Sequence, residues 1–481
     1  MKIEYRLKSV LLKKTFNMTN KIITIFLLGM LILSKNTYAQ TLPDLKVSAN
    51  KRFLQTADGK PFFWLGDTGW LLFSKLTREE AIQYLDDRKA KGFNVIQAMG
   101  LHTLNVVNMY GDSALVGKNI AKPKITDGDS FTDEAQYDFW NHVDFVIEQA
   151  EKRGIYIGFV PIWGGNVKSG RVSESQARIY AEFLAKRFAK HSNIIWLNGG
   201  DIKGSESINI WNVIGNTLRE IDKKHLITFH PRGRSSSSEW FHNEKWMDFN
   251  MVQSGHRTYA QDTSANEKLH YGEDNWKYIN RDYKLRPVLP TIDGEPSYEG
   301  IPHGLHDVTQ PRWTAAEVRR YGYWSVFAGA FGYTYGQNSV MQMFRTLTNE
   351  DTSFGPLEIW SEGMKAEGSG QMQFMKSLLL SKPFFERIPD QSLVAKQGEK
   401  YNYILATRGK KYAFLYTYTG RNFTVNLGKI EGNVLKATWY NPRNGEKTII
   451  GSFPNKGTKE FNPPAEPKDG NDWVLILSSN Q

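Results

Sequence analysis

At 481 residues, with 40% hydrophobic and 23% charged content, the chain can bury one large core and carry an accessory domain, which excludes an intrinsically disordered protein. The formal charge of +11 is concentrated at the start: residues 1–39 hold seven Lys/Arg against one Glu, so the remainder is near +5 and no basic stripe calls for nucleic acid. With no cysteine there is no disulfide, thiolate metal site or catalytic thiol.

In chain order, Lys13, Lys14 and Lys21 precede the apolar run 22–33, and Thr37-Tyr38-Ala39-Gln40 follows. A basic region, a short apolar stretch and a small residue before the cut describe a secretory signal cleaved after Ala39. The run is too short to span a bilayer comfortably. A periplasmic or secreted protein with no integral membrane segment in the mature chain is expected.

From residue 51, short β-rich runs alternate with amphipathic helical runs, the pattern of an α/β protein with a parallel sheet. Strands are predicted at 62–66, 93–99, 155–161, 194–198, 226–230, 247–253, 288–292 and 331–335. Helices are predicted at 78–91, 139–153, 174–190, 210–223, 276–283, 314–328 and 371–380, with the fifth, between His230 and Met247, hardly visible. Eight strands in this span suit a (β/α)8 TIM barrel better than a doubly wound sheet. Helix-to-strand connections are tight, whereas the strand-to-helix segments 100–138, 254–274, 293–313 and 336–368 are long. Long loops at strand C-termini are where a barrel builds its site.

After Pro383 the texture changes to short alternating strands at 401–407, 411–417, 422–427, 434–440 and 473–477, as in a small antiparallel β-sandwich. The expected organisation is a signal peptide over 1–39, a barrel over 40–382 and a β-sandwich domain over 383–481.

Two strand ends carry the sharpest chemistry. The fourth strand runs through Asn198-Gly199-Gly200 into Asp201, and the seventh runs through Asp293-Gly294 into Glu295. Glycosidic hydrolysis needs one carboxylic acid to protonate the leaving oxygen and one carboxylate on the other side of the sugar. Mouths of strands four and seven face each other, so Asp201 and Glu295 answer that need, with Asp293, Asp67 and Glu299 as alternatives. The competing reading makes Asp201 a helix cap and Glu295 a solvated loop residue.

Polar and aromatic residues recur at the other strand ends: Asp67 and Trp70, Gln97 and His102, Trp163 and Asn166, His230 and Arg232, Gln253 and His256, and Tyr335, Gln337 and Asn338. Together with Asn198 they form a candidate substrate-binding set for a hydroxyl-rich ligand, with indole faces for stacking. Aromatic content of 13% leans the same way. The histidines lack His-Glu-x-x-His spacing, so no metal is assigned. No Gly-x-Gly-x-x-Gly follows the first strand, so no nucleotide cofactor is either.

The stretches Phe62-Phe63-Trp64-Leu65-Gly66-Asp67-Thr68-Gly69-Trp70, Lys91-Gly92-Phe93-Asn94-Val95-Ile96-Gln97, Trp196-Leu197-Asn198-Gly199-Gly200-Asp201 and Asp293-Gly294-Glu295-Pro296 resemble the apiosidase-like barrel family, glycoside hydrolase family 140. The resemblance covers roughly residues 45–380, and 385–480 resemble the collagen-binding-type sandwich that commonly follows. It implies a cofactor-free hydrolase of apiose-containing side chains of the plant pectin rhamnogalacturonan II, with acid and nucleophile at Asp201 and Glu295. Many related barrels place Asn directly before a catalytic Glu on the fourth strand, whereas two glycines separate Asn198 from Asp201 here. A barrel glycosidase of other specificity, or a non-catalytic carbohydrate-binding or adhesion protein, is the alternative.

Overall fold

Eight parallel strands make the barrel: β1 (Trp64–Thr68), β2 (Val95–Leu101), β3 (Tyr156–Ile162), β4 (Ile194–Ile202), β5 (Ile227–Pro231), β6 (Asn250–Gln253), β7 (Thr291–Asp293) and β8 (Gly332–Tyr335). They are buried on both faces except at Asp201, as parallel strands under a helical layer must be. The computed structural model describes residues 42–263, 265, 269–346 and 352–479, which fall in one compact unit. The segment read as a signal peptide lies outside the described residues. Among the described residues, no helix is long and apolar enough to cross a membrane.

The ladder order is β5-β4-β3-β2-β1-β8-β7-β6, and the two-residue strand Ser235–Ser236 pairs antiparallel with β6. Closure between β5 and β6 uses single bonds: Asp248 N–H donates to Ile227 O at 2.9 Å, and Thr228 Oγ1 donates to Phe249 O at 2.6 Å. A three-stranded antiparallel sheet (Leu45–Val47, Leu54–Thr56, Pro61–Phe62) covers the end where the strands begin, with Phe62 edge-on to Tyr156.

The outer layer comprises α1 (Arg78–Ala90), α2 (Phe139–Lys152), α3 (Glu174–Phe188), α4 (Ile208–Ile221), α5 (Ser238–Phe241), α6 (Trp276–Tyr283), α7 (Ala315–Phe327) and α8 (Glu367–Leu380). Capping boxes start α1 (Thr77, Glu80), α3 (Ser173, Gln176) and α7 (Thr314, Glu317), fixing where each strand-to-helix loop ends. The scarcely visible fifth helix is a single turn, too short to show a 3.6-residue period.

Beyond the barrel, β9 (Leu405–Arg408), β10 (Tyr412–Thr417), β11 (Phe423–Asn426), β12 (Val434–Tyr440), β13 (Lys447–Pro454), β14 (Thr458–Phe461) and β15 (Trp473–Ser479) are antiparallel. With the short strand Ile388–Pro389 they build a six-stranded sheet and a two-stranded one, packed over Leu415, Phe423, Trp439 and Leu475. Neither β13 nor β14 is evident in the sequence. β13 is an edge strand, exposed along most of its length, and gives no period-2 pattern.

Helix α7 joins the two layers. Its Tyr323 stacks on Tyr416 of β10 (4.8 Å between centroids, 2° between planes), and Phe327 lies on Phe414. Arg319 forms a buried two-pronged pair with Asp472, Nε to Oδ2 at 3.0 Å and Nη2 to Oδ1 at 2.9 Å. Removing one partner of such a pair strands a charge in a dry environment, which costs about 3–5 kcal/mol. Asp472→Ala is therefore expected to lower stability by about that amount in thermal or urea unfolding of the full chain. A loss below about 1 kcal/mol, the range of a surface pair, would show that the pair does not hold the domains together.

Candidate active site

The residue after a parallel strand can face the mouth or the helical layer, and the sequence-predicted set divides on this point. Asp67 faces outward and fully buried: Tyr84 Oη donates to its Oδ2 at 2.6 Å, and Arg88 Nε lies 3.3 Å away, so it fastens α1 to β1. Asn198 Nδ2 donates to Trp211 O of α4 at 2.8 Å. Tyr335 Oη donates to Glu299 Oε2 at 2.6 Å, and Glu299 also accepts from Gly368 N at the start of α8. Gln337 caps a helical turn through Ser339 N and Val340 N, Asn338 donates to Gly300 O and Phe354 O, and Asn166 ties His102 O to Trp163 O. The structure does not bring the expected substrate-binding residues Asp67, Asn198, Tyr335 and Gln337 to the mouth: each is buried, and each side chain bonds a helix or a loop.

Asp293, the rival of Glu295, is also turned outward. Its carboxylate accepts from Ser254 Oγ at 2.8 Å, Asn275 Nδ2 at 3.1 Å and Ser325 Oγ at 3.0 Å. Burial pushes its pKa up to about 6 against those hydrogen bonds. It secures β7 to the helices on either side.

The inward set converges on Glu295. His230 Nε2 lies 3.1 Å from its Oε2, and His256 Nε2 lies 3.3 Å from its Oε1. Burial alone would raise this carboxyl, but the two imidazoles outweigh it and hold the pKa down at about 2. The tautomer of His230 follows from the other side of its ring. Asp201 N–H donates to His230 Nδ1 (3.4 Å), so in the neutral ring the proton sits on Nε2, the nitrogen nearer Glu295.

Asp201 owes its position to a bulge. Gly199 pairs with His230 and Ile202 with Pro231, so Gly200 and Asp201 are extra residues in β4. Three consecutive residues have left-handed backbone, with φ of 92° at Gly199, 114° at Gly200 and 45° at Asp201. A Cβ on Gly199 would stand 2.6 Å from the Phe229 ring, and one on Gly200 would stand 2.5 Å from the Trp163 ring, so neither site admits a side chain. Bulges of this kind re-aim a side chain beside a site. Asp201 stays open to solvent while the walls of the mouth desolvate its carboxyl. That burial and the negative charge of Glu295 push its pKa up to about 6, against His230 and the Gly233 amide.

Trp70 and Trp163 pack around His230. Their rings lie 5.4 Å apart, and His230 meets Trp70 edge-on at 5.2 Å and Trp163 at 5.9 Å. Gln97 crosses the barrel to donate to Gly294 O at 2.7 Å, which steadies the turn that carries Glu295. Gln253, at the end of β6, is buried beside Gly233. Arg232 continues the β5 mouth, its amide bonded to Ile202 O. His102, half-buried at the end of β2, is held neutral by burial and by Lys75, with its pKa down at about 4. One residue not foreseen is Tyr298, fully buried edge-on to the His256 ring at 4.8 Å and, after burial, raised further by the charge of Glu295. Its spacing of three from Glu295 gave no separate signal.

A mouth that pushes one carboxyl below the usual carboxylate range and another above it, beside two indoles at the end of a (β/α)8 barrel, suits a barrel glycoside hydrolase. Comparisons agree. Residues 48–386 match the family model "Apiosidase-like, catalytic domain", and residues 388–478 match "Putative collagen-binding domain of a collagenase". Among solved structures, a glycoside hydrolase is 43% identical over 91% of this chain and 97% of its own, with a TM-score of 0.85. A glycoside hydrolase described as family 5, from Bacteroides vulgatus, is 41% identical over 91% of this chain and 95% of its own, with a TM-score of 0.86. No curated protein matches. The protein is a glycoside hydrolase of the barrel type, which sets aside the non-catalytic alternative. Within that class, the chain belongs to the apiosidase-like family.

Proposed function

We propose that the protein is an exported, retaining apiosidase acting on side chains of plant rhamnogalacturonan II, with Glu295 as nucleophile and Asp201 as general acid and base. The observation that carries this reading is the placement of the pair: Glu295 lies between His230 and His256 just after β7, and Asp201 sits on the bulge of β4, with the first carboxyl held down at about 2 and the second pushed up to about 6. In the first step Glu295 attacks the anomeric carbon while Asp201 protonates the departing oxygen. In the second, Asp201 takes a proton from water, and that water displaces Glu295 from the sugar. Trp70 and Trp163 supply apolar faces for the ring, and Gln253, His102 and Arg232 offer polar groups to its hydroxyls.

The test is incubation of the full-length enzyme with rhamnogalacturonan II and a panel of plant glycans, with released sugars identified and the first-formed anomer followed by NMR. Apiose-containing products with retained configuration are expected. Release from arabinan or rhamnoside substrates alone would move the specificity elsewhere. An inverted first product would overturn the nucleophilic role of Glu295.

A further inference from the structure

The loop after β6 carries His256, and both of its ends are gripped by the C-terminal domain. At its near end, Tyr259 lies against the ring of Tyr401 at 5.6 Å, and the Lys400 ammonium sits 5.2 Å from the Tyr259 ring. At its far end, Tyr401 Oη donates to Glu273 Oε1 at 2.7 Å, the same oxygen that accepts from Tyr259 N at 3.3 Å. The other oxygen of Glu273 is paired with Arg320 of α7, with both side chains 1% exposed. Immediately beyond, Trp276 stacks on Tyr403, 4.4 Å apart with 12° between planes. Residues 400–403 of the sandwich therefore close the loop like a clasp, three residues from His256.

We infer that Tyr401 is a positioning residue for the reaction: with Glu273 and Arg320 it holds the loop that keeps His256 against Glu295. A histidine 3.3 Å from a carboxylate already stands at the long end of the hydrogen-bond range, so a small displacement breaks the bond. The groups that face Glu295 are His230 from β5, His256 and Tyr298 from the loops after β6 and β7, and Asp201 from β4. Of these, only His256 is carried by the clasped loop. The backbone beside His256 is also tied to the barrel, through Gly255 N to Glu295 O and Gly304 N to His256 O, so loosening the clasp frees the loop beyond these bonds and lets one of the two imidazoles shift while the other stays in place.

The inference rests on the reading of Glu295 as nucleophile, so the experiment includes Glu295→Gln. Full-length Tyr401→Ala, Tyr401→Phe and Tyr416→Ala are compared with the wild type by hydrogen exchange and by kinetics on a glycan the wild type cleaves. Tyr416→Ala removes the Tyr323 stack, elsewhere on the same interface. In Tyr401→Ala, peptides covering 254–263 are expected to exchange faster, kcat to fall roughly 10- to 100-fold with KM little changed, and the acid limb of the pH profile to move to higher pH. Tyr401→Phe keeps the ring but not the bond to Glu273, and should fall between. Tyr416→Ala should lower the melting temperature yet leave both the loop exchange and the pH profile as in the wild type. Unchanged exchange at 254–263 in Tyr401→Ala, or a wild-type pH profile, overturns the inference. So does an equal profile shift in Tyr416→Ala, which would mark general loosening. If Glu295→Gln keeps its activity, the site reading itself falls; if it is inactive while Tyr401→Ala behaves as wild type, only the clasp falls.

Discussion

Glu295→Gln is expected to lower kcat on the natural glycan by roughly 10⁴-fold or more, the scale seen when a covalent nucleophile is removed. Substrate binding should change little, because glutamine keeps the size of the side chain and Trp70 and Trp163 are untouched. The reason for so large an effect is the environment already built around the carboxylate. His230 and His256 favour the ionised carboxylate, and a neutral amide keeps at most a hydrogen bond to them and offers no nucleophilic oxygen anion. Turnover and ligand binding measured on the same preparation check the split. Near-normal turnover would remove Glu295 from the mechanism and reopen the roles of the other acids.

Asp201→Asn is expected to act more selectively. Loss of the proton donor should cost ~10²- to 10⁴-fold on glycosides with poor leaving groups, and much less in the first step with activated aryl glycosides, whose leaving group needs no proton. The pH profile supplies a second reading. In the proposed roles Glu295 acts ionised and Asp201 protonated, so wild-type activity is expected to rise as pH passes about 2 and to fall as pH passes about 6. With an activated substrate, the fall near 6 should vanish in Asp201→Asn. Stability should move the other way. A carboxyl whose pKa is raised on folding binds more protons folded than unfolded between its two pKa values, so its presence lowers stability as pH rises through that window. At pH 7 the variant should therefore melt at a higher temperature than the wild type, since asparagine also tolerates left-handed backbone. A lower melting temperature, or an unchanged alkaline limb, would contradict the assignment.

How far the sequence could be read depended on which physical signal each feature leaves. Parallel strands under helices are apolar runs, here of three to nine residues, and all eight were visible with ends shifted by a few positions, as for 62–66 against Trp64–Thr68. Asp201 and Glu295 were singled out because glycosidic hydrolysis calls for acids at facing strand ends, and the structure places the two close enough for the charge of Glu295 to act on Asp201. What a strand-end count does not contain is direction. Asp67, Asn198 and Tyr335 look like site residues in one dimension, yet their partners Tyr84, Trp211 and Glu299 lie on or beside the helical layer. The bulge at Gly200 and Asp201 was hinted at by two adjacent glycines, but its register slip against β5 is a property of the pairing, not of either strand alone. Tyr298 and the clasp of Tyr401 on Glu273 are long-range contacts, and no local period announces them.

The stack of Tyr323 on Tyr416 also bears on how such a gene can be rearranged. Helix α7 presents Tyr323 and Arg319 to the sandwich, and from the same helix Ser325 holds the carboxylate of Asp293 at the end of β7. One helix thus answers to both halves of the chain. The sandwich is not a portable cassette: a recombination event that exchanged it for an unrelated module would leave a coplanar aromatic and a buried guanidinium facing water. A chimera survives such a swap only if the incoming partner brings its own aromatic and acidic counterparts for that helix.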